Sequence, residues 1–396
     1  MAHLRVAVVG AGIAGLVFAA ALRRTGIQCQ IFEQAPRLTE VGAGVQVAPN
    51  ATRLLHRMGL RDRLSEVAVA PESIEMRRWD DGALLQRTPL GDLCLRRFGA
   101  PYYTVHRADL QASLLSLVPP DHVHLGVRLA AVTQDANEAR LHLADGTTVA
   151  ADLVVGADGI HSVVREQIVT DTPRYSGQTI YRGLVPAWRV PFLVAEPRVR
   201  LWFGPGKHVV SYPVSAGRQV SFGATVAVSD WSEESWTANG DAADLAAAYA
   251  GWHTDVTRLI DAADRVSRWA LHDRDSIDRL GAGRVVVIGD AAHPMLPFQA
   301  QGANQAIEDA VVLARCLAAA GPARWGAAVR RYAEVRLPRV VDIQRRSRAN
   351  ARTFHLGDGD GQRLRDTAAQ VTSGLDQHEW LFAYDAEHVT TTSGSI

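Results

Sequence analysis

The chain has 396 residues with 42 basic and 42 acidic side chains, so its formal net charge is zero. That length can bury a large core in two closely joined domains, and the even balance argues against a surface built for nucleic acid or an acidic membrane. Lys207 is the only lysine, and Cys29, Cys94 and Cys316 lie far apart with no Cys-x-x-Cys, against a zinc or disulfide framework and in keeping with a reducing cytoplasm.

Residues 5–10 read as a buried strand that runs into Gly10-Ala-Gly12-Ile-Ala-Gly15 and an Ala/Leu-rich helix ending near Gly26. The apolar opening could pass for a signal-peptide core, but three glycines at fixed spacing argue for a nucleotide loop. No run has the length of uninterrupted apolar sequence that a membrane span needs. A second strand, residues 28–32, ends in Glu33, an acid placed to accept from a ribose hydroxyl while the glycines admit a pyrophosphate. The fingerprint occurs once, so one dinucleotide has a dedicated site.

Glu40-Val-Gly42-Ala-Gly44-Val-Gln46 is rich in small residues that let backbone lie against a flat ligand, and Asn50 is expected to cap a helix running to Met58. Residues 71–99 change to short alternating strands around an Asp80-Asp-Gly turn. Arg107 opens a helix reaching Val118, where it can pair with a phosphate or with Asp109. Strands follow near Val123, Leu129 and Leu141, with a hairpin signal at Asp145-Gly146. Residues 153–156 form another buried strand, ending in Asp158-Gly159 before a helix. From Tyr175 to Asp230 the pattern is β; helices are expected over residues 241–252 and 254–262.

Val285-Val-Val-Ile is again a strand buried on both faces, and Gly289-Asp290 places a carboxylate just past its end, where open α/β sheets bind ligands. After Pro297, small residues lead into a helix with apolar Ile307, Val311, Ala314 and Leu317, closed by Gly321-Pro322. Asp290 can accept from sugar-like hydroxyls, and the free N–H groups at that helix start can stabilise an anionic ring. Helices over residues 325–354 finish the fold, and disorder is expected of Thr390-Thr-Thr-Ser-Gly-Ser. The expected division is a discontinuous nucleotide domain (1–70, 100–170 and 274–355), an inserted domain (71–99 and 171–273) and a tail (356–396).

With the first glycine motif, Gly156-Ala-Asp158-Gly159 and Gly289-Asp290-Ala-Ala-His-Pro-Met-Leu-Pro297 in one order, the chain resembles the single-component FAD-dependent aromatic hydroxylases, and is most similar to the salicylate, 3-hydroxybenzoate and 6-hydroxynicotinate hydroxylase branch. The likeness spans Val6 to about Asn350. It implies an α/β fold like p-hydroxybenzoate hydroxylase, with a Rossmann-type FAD domain, an interleaved β-sheet substrate domain and C-terminal helices. It implies FAD as cofactor, with Gly10, Gly12, Gly15 and Glu33 at the pyrophosphate and ribose, Gln46 beside the flavin, Arg107 at the ribityl–pyrophosphate region and Leu129 at the adenine. Asp290 would bind the ribityl chain, Gly302, Ala303 and Asn304 would flank the flavin pyrimidine, and Asp158 with Gly159 would serve both FAD and nicotinamide.

The implied activity is an NADH- or NADPH-driven monooxygenase that hydroxylates an electron-rich aromatic ring with O2 through a flavin C4a-hydroperoxide. Epoxidation of an alkene or indole double bond is the alternative within oxygenases; an oxygen-independent flavoprotein oxidoreductase is the alternative outside them. The implied protein is a cytoplasmic monomer or homodimer acting on a small aromatic molecule. His208 and Tyr212, four apart on a strand, share a face with Val210 and are the candidates for activating the ring, and Pro297 is assigned to the catalytic group with them. Tyr102, Tyr103 and Arg182 could reach substrate but are assigned structural roles. Phe298 stands where relatives carry a polar residue, which suggests a less polar, carboxylate-free substrate.

Overall fold

A computed structural model describes residues 4–38, 44–228, 239–371 and 374–388. Valine-rich strands buried on both faces form a six-stranded sheet in the order Gly281–Ala282, Val285–Val287, Leu153–Gly156, Val6–Val9, Cys29–Glu33, Val123–Leu125. Its strand pairs are parallel except the first, a short antiparallel one. Parallel neighbours need a crossover, and Ile13–Arg23 supplies it between Val6–Val9 and Cys29–Glu33, with Gly302–Ala320 packed along that helix.

An eight-stranded, mostly antiparallel sheet runs Asn239–Gly240, Val266–Asp273, Arg174–Pro186, Gln219–Ala227, Lys207–Val214, Arg198–Gly204, Ser73–Arg78, Leu84–Pro89. The period-2 alternation gives it two different faces. Val209, Phe222 and Ala224 pack on Tyr249, Trp252, Val256 and Leu259 from the two short helices and the turn between them. Val210 and Tyr212 turn the other way. A three-stranded meander (Leu129–Gln134, Ala139–Leu143, Thr148–Ala151) and a two-stranded ladder (Gly44–Val47 with Tyr103–His106) complete the β structure.

Several sequence expectations are corrected. The small-residue stretch continues as a strand over residues 44–47, and residues 91–98 are a helix inside the stretch read as β. Asn50 lies within the helix Pro49–Leu55 and is wholly buried; Ala48 occupies the cap. After Asp158-Gly159 the chain makes only a 3-10 turn, Val164–Gln167. The helix expected over 241–252 is shorter, Ala242–Ala248, capped by the Asp241 carboxylate, and Val266–Asp273 is an additional strand. The helices expected over 325–354 are one: residues Trp325–Phe354 form a 30-residue helix that continues through Pro338, and Asp360–Val371 and Glu379–Phe382 are further helices after it. Proline removes one backbone hydrogen bond, and Arg336 and Arg339 on either side of it are anchored in the neighbouring helix by buried ion pairs. Gly42 and the tail from Thr390 lie outside the described residues.

Candidate active site

The first glycine loop is tight where it must be and open where a ligand would come. A Cβ on Gly10, which has φ of +101°, would meet the Ala157 carbonyl oxygen at 2.4 Å, and one on Gly15 would meet that of Gly10 at 2.0 Å. A Cβ on Gly12 would meet nothing within 4 Å. Gly12, Ile13 and Ala14 line a cavity of about 310 Å³ that also takes in Gly302 and Ala303 at the start of the helix Gly302–Ala320. Neither helix start has a side-chain cap, so two sets of free N–H groups open on one space. This donor set fits a dinucleotide with its phosphates at the first helix and an anionic ring at the second.

Asp290 lies in the turn after Val285–Val287 and is exposed into that cavity. Burial of its surroundings raises the carboxyl above its ordinary range, while His293 and Arg107 pull it back. The turn is clamped from behind. The wholly buried Asp309 carboxylate accepts from Gly289 N at 2.9 Å and pairs with His293 and Arg336. Arg165, 1% exposed, donates to the Ala291 and Ala292 carbonyl oxygens at 3.0 and 2.6 Å and forks onto Asp171. Glu308 completes the cluster between Arg336, Arg339 and Asn50.

The opposite side of the cavity is built by the eight-stranded sheet. Tyr212 and Val210 line it, with Arg182, Ser221, Gln46 and Pro297. The Tyr212 ring lies where a Cβ on Gly44 would be, 2.4 Å from Cε2, so the small residue serves this ring. Burial raises the Tyr212 phenol, opposed by the Arg182 charge and by hydrogen bonds with Ser221 and Gln46. Gln46 Oε1 also accepts from the Tyr102 hydroxyl at 2.7 Å. The Arg182 guanidinium stacks over Trp269 at 4.6 Å and makes no hydrogen bond or ion pair with a described residue. Burial depresses its guanidinium, and Arg107 adds to the effect. Among the described residues, the cavity's charged lining is Arg107, Arg182 and Asp290.

Of the residues singled out from sequence, Gly12, Gln46, Arg107, Asp290, Gly302, Ala303, Tyr212 and Pro297 line this one space, as does Gly159. His208 does not; it sits on the same strand face beyond Val210, 4% exposed, in ring contact with Phe298, Phe354 and His355. Phe298 faces that cluster and not the cavity, so the inference drawn from its polarity loses its basis. Asp158 uses its carboxylate on its own loop, accepting from Ser162 Oγ, Val163 N and Val164 N. Asn304 is a staple: Oδ1 accepts from Ala48 N at 2.8 Å and Nδ2 donates to the Gln46 and Ala300 carbonyl oxygens. Glu33 accepts from Ala11 N and Ala35 N, both at 2.8 Å, holding the glycine loop against its strand. Leu129 is buried in the core at the start of the meander. Sequence reasoning missed Arg165, His355 and the cavity position of Arg182.

No helix among the described residues is long and apolar enough to cross a membrane, and no group of His, Cys, Asp or Glu among them could hold a metal. Residues 3–347 match the family described as FAD binding domain. The chain is 51% identical over 386 residues to a 3-amino-4-hydroxybenzoate 2-monooxygenase of Streptomyces cremeus, covering 97% of this chain and 96% of that one. It is 37% identical over 353 residues to a 6-hydroxynicotinate 3-monooxygenase of Bordetella bronchiseptica, covering 87% and 91%. The crystal structure of Klebsiella pneumoniae HpxO complexed with FAD and uric acid superimposes with a TM-score of 0.84 at 29% identity, covering 99% of this chain and 98% of that one.

Proposed function

The chain belongs to the FAD binding domain family and is an FAD-dependent aromatic monooxygenase that uses O2 and a nicotinamide reductant, and from that premise we propose that its substrate is a carboxylated aminophenol of the 3-amino-4-hydroxybenzoate type, hydroxylated at ring carbon 2. The epoxidase and oxygen-independent readings find no support among the relatives. The single observation that carries the substrate reading is Arg182: a guanidinium lining the cavity with no carboxylate partner among the described residues. A buried cation without a counter-ion is costly, and a substrate carboxylate supplies one through a bidentate, charge-assisted pair.

In this reading Gly10, Gly12, Gly15, Glu33, Arg107, Leu129, Asp290, Gly302, Ala303 and Asn304 hold the cofactor, some by contact and some by shaping the loops that touch it. When bound and reduced, FAD supplies the activated oxygen. The protein's part is to orient the ring, exclude water and manage a proton. Ring carbon 2 is adjacent to the amino-bearing carbon and meta to the hydroxyl, so the electron release that matters comes from nitrogen. Its N–H becomes acidic as the carbon–oxygen bond forms, and an uncharged acceptor beside it lowers the barrier. Tyr212, beside Ser221 and Gln46, supplies a polar group at that end, and in this reading the ring reaches past Val210 to the neutral His208, two residues farther along the same strand face and outside the cavity's own lining. Ile180, Val210, Met295 and Leu296 provide apolar walls. The reading extends to NADH or NADPH met without a second glycine loop, and to a cytoplasmic monomer or homodimer, in keeping with three buried free cysteines.

The test compares turnover of 3-amino-4-hydroxybenzoate with that of carboxylate-free 2-aminophenol in the wild type and in Arg182→Leu. The wild type should prefer the acid by about a hundredfold in kcat/KM, and Arg182→Leu should abolish that preference, in line with about 3 kcal/mol for a desolvated charge pair. Equal turnover of both compounds by the wild type would sink the carboxylate reading.

A further inference from the structure

Beyond the cavity the same strand face ends in a cluster that no cofactor position accounts for. His208 Nδ1 lies 2.8 Å from His355 Nε2, and the two rings are stacked at 5.1 Å. Thr225 Oγ1 touches both, 3.2 Å from His208 Nδ1 and 3.3 Å from His355 Nε2, and also accepts from His208 N at 2.9 Å. Tyr249 ties the strand down through a hydrogen bond to the His208 carbonyl oxygen at 3.0 Å. Three phenylalanines, Phe203, Phe298 and Phe354, are in ring contact with His208. His208 Nε2 makes no hydrogen bond to a described residue.

Two imidazoles sharing one hydrogen must split the roles of donor and acceptor, so each fixes the other's tautomer. We propose that His355 is the positioning residue for His208: it accepts the Nδ1 proton, leaving His208 Nε2 as a bare acceptor for the amine or phenol hydrogen of the substrate, and it carries that proton outward. This rests on the reading that His208 meets the substrate. The balance is simple. The substrate N–H or O–H bond breaks as the His208 Nε2–H bond forms, the Nδ1 proton passes to His355 Nε2, and the proton on His355 Nδ1 leaves to solvent.

The surroundings suit a relay better than a stored charge. His355 is half-buried at the end of the long helix, between the enclosed His208 and the outside. The titratable and charged groups around the pair are Tyr249 from the helix side, Lys207 turned onto the Tyr249 and Trp252 rings, and Arg365 over Phe203; no described carboxylate pairs with either histidine. Burial holds both imidazoles below their ordinary range, His355 at about 4. An imidazolium formed here is therefore transient and hands its proton on.

The test uses the FAD-loaded full chain with His355→Phe, which refills the aromatic cluster, His355→Gln, which keeps a hydrogen-bonding group, and His208→Gln. His355→Phe should retain FAD and keep KM within about threefold, while the product-forming kcat falls at least tenfold and NAD(P)H oxidation runs on uncoupled. His355→Gln should recover most of the coupling. Nitrogen-15 imidazole NMR should show His208 protonated at Nδ1 in the wild type and at Nε2 in His355→Phe. Normal coupling in His355→Phe alongside an impaired His208→Gln would overturn the inference alone. Normal hydroxylation by His208→Gln would overturn the reading beneath it as well. A KM that rises in step with the loss of kcat, unrescued by glutamine, would make His355 structural and overturn the inference.

Discussion

The two ends of the cavity are backed by polar clusters of opposite kind. Behind Asp290, Glu308 and Asp309 meet Arg336, Arg339 and His293 in a knot of charges that is buried except at Arg339. Behind Tyr212, His208, His355 and Thr225 form a cluster with no counter-ion among the described residues, set among phenylalanines. Charge is placed where a turn has to stay still, because each member is immobilised by several partners and removing one strands the rest. Uncharged nitrogen is placed where a proton has to pass, because a strong counter-ion would trap it.

The comparison can be broken most forcefully at Arg336. Arg336→Met leaves buried Glu308 with Arg339 and buried Asp309 with His293 as their remaining ion-pair partners and should cost about 3–5 kcal/mol in urea unfolding; a loss under 1 kcal/mol would mean the knot is not what holds the turn. Asp290→Ala should fold normally yet purify with little FAD, visible as a colourless protein, since it removes the only acid lining the cavity among the described residues.

Acid should take the two clusters apart in sequence. Burial alone would raise Asp309, but His293 and Arg336 overcome it and hold the carboxyl at about 2. Its folded value lies below the unfolded one, so its contribution is complete above about pH 4 and is lost as pH falls toward 2. The buried imidazole of His208 and the half-buried ones of His56, His355 and His378 are also depressed by desolvation, His56 and His355 to about 4. They bind protons in the unfolded chain first, so their share of stability is complete above about pH 6.5 and declines toward pH 4. A stability profile of the wild type should thus show two limbs. Asp309→Asn should flatten the lower one, and His355→Gln should shave the upper one by a smaller amount.

The valine strands, the glycine loop and the Asp290 turn were legible because period and spacing are local properties of the chain. What escaped was the destination of polar side chains. Asn304 reads as a ligand contact, yet its oxygen is taken by Ala48 N, 256 residues earlier in the chain. Asp158 reads as a cofactor acid, yet the N–H groups of its own turn consume it. Arg182 on a strand reads as structural until its burial beside the cavity, without an acid, is seen. His355 carries no signal at all, being one histidine just past the last apolar turn of a helix.

The unbroken helix Trp325–Phe354 acts as a ruler. One rod fastens Arg336 and Arg339 to the charged knot and delivers Phe354 and His355 to the neutral pair, with about 24 Å of helix between Arg339 and His355 at 1.5 Å per residue. A single residue inserted between them would swing His355 about 100° around the axis while leaving the knot intact. The spacing of this stretch is therefore constrained in phase as well as length, and an insertion or deletion there should be far less tolerated than a substitution on its exposed face.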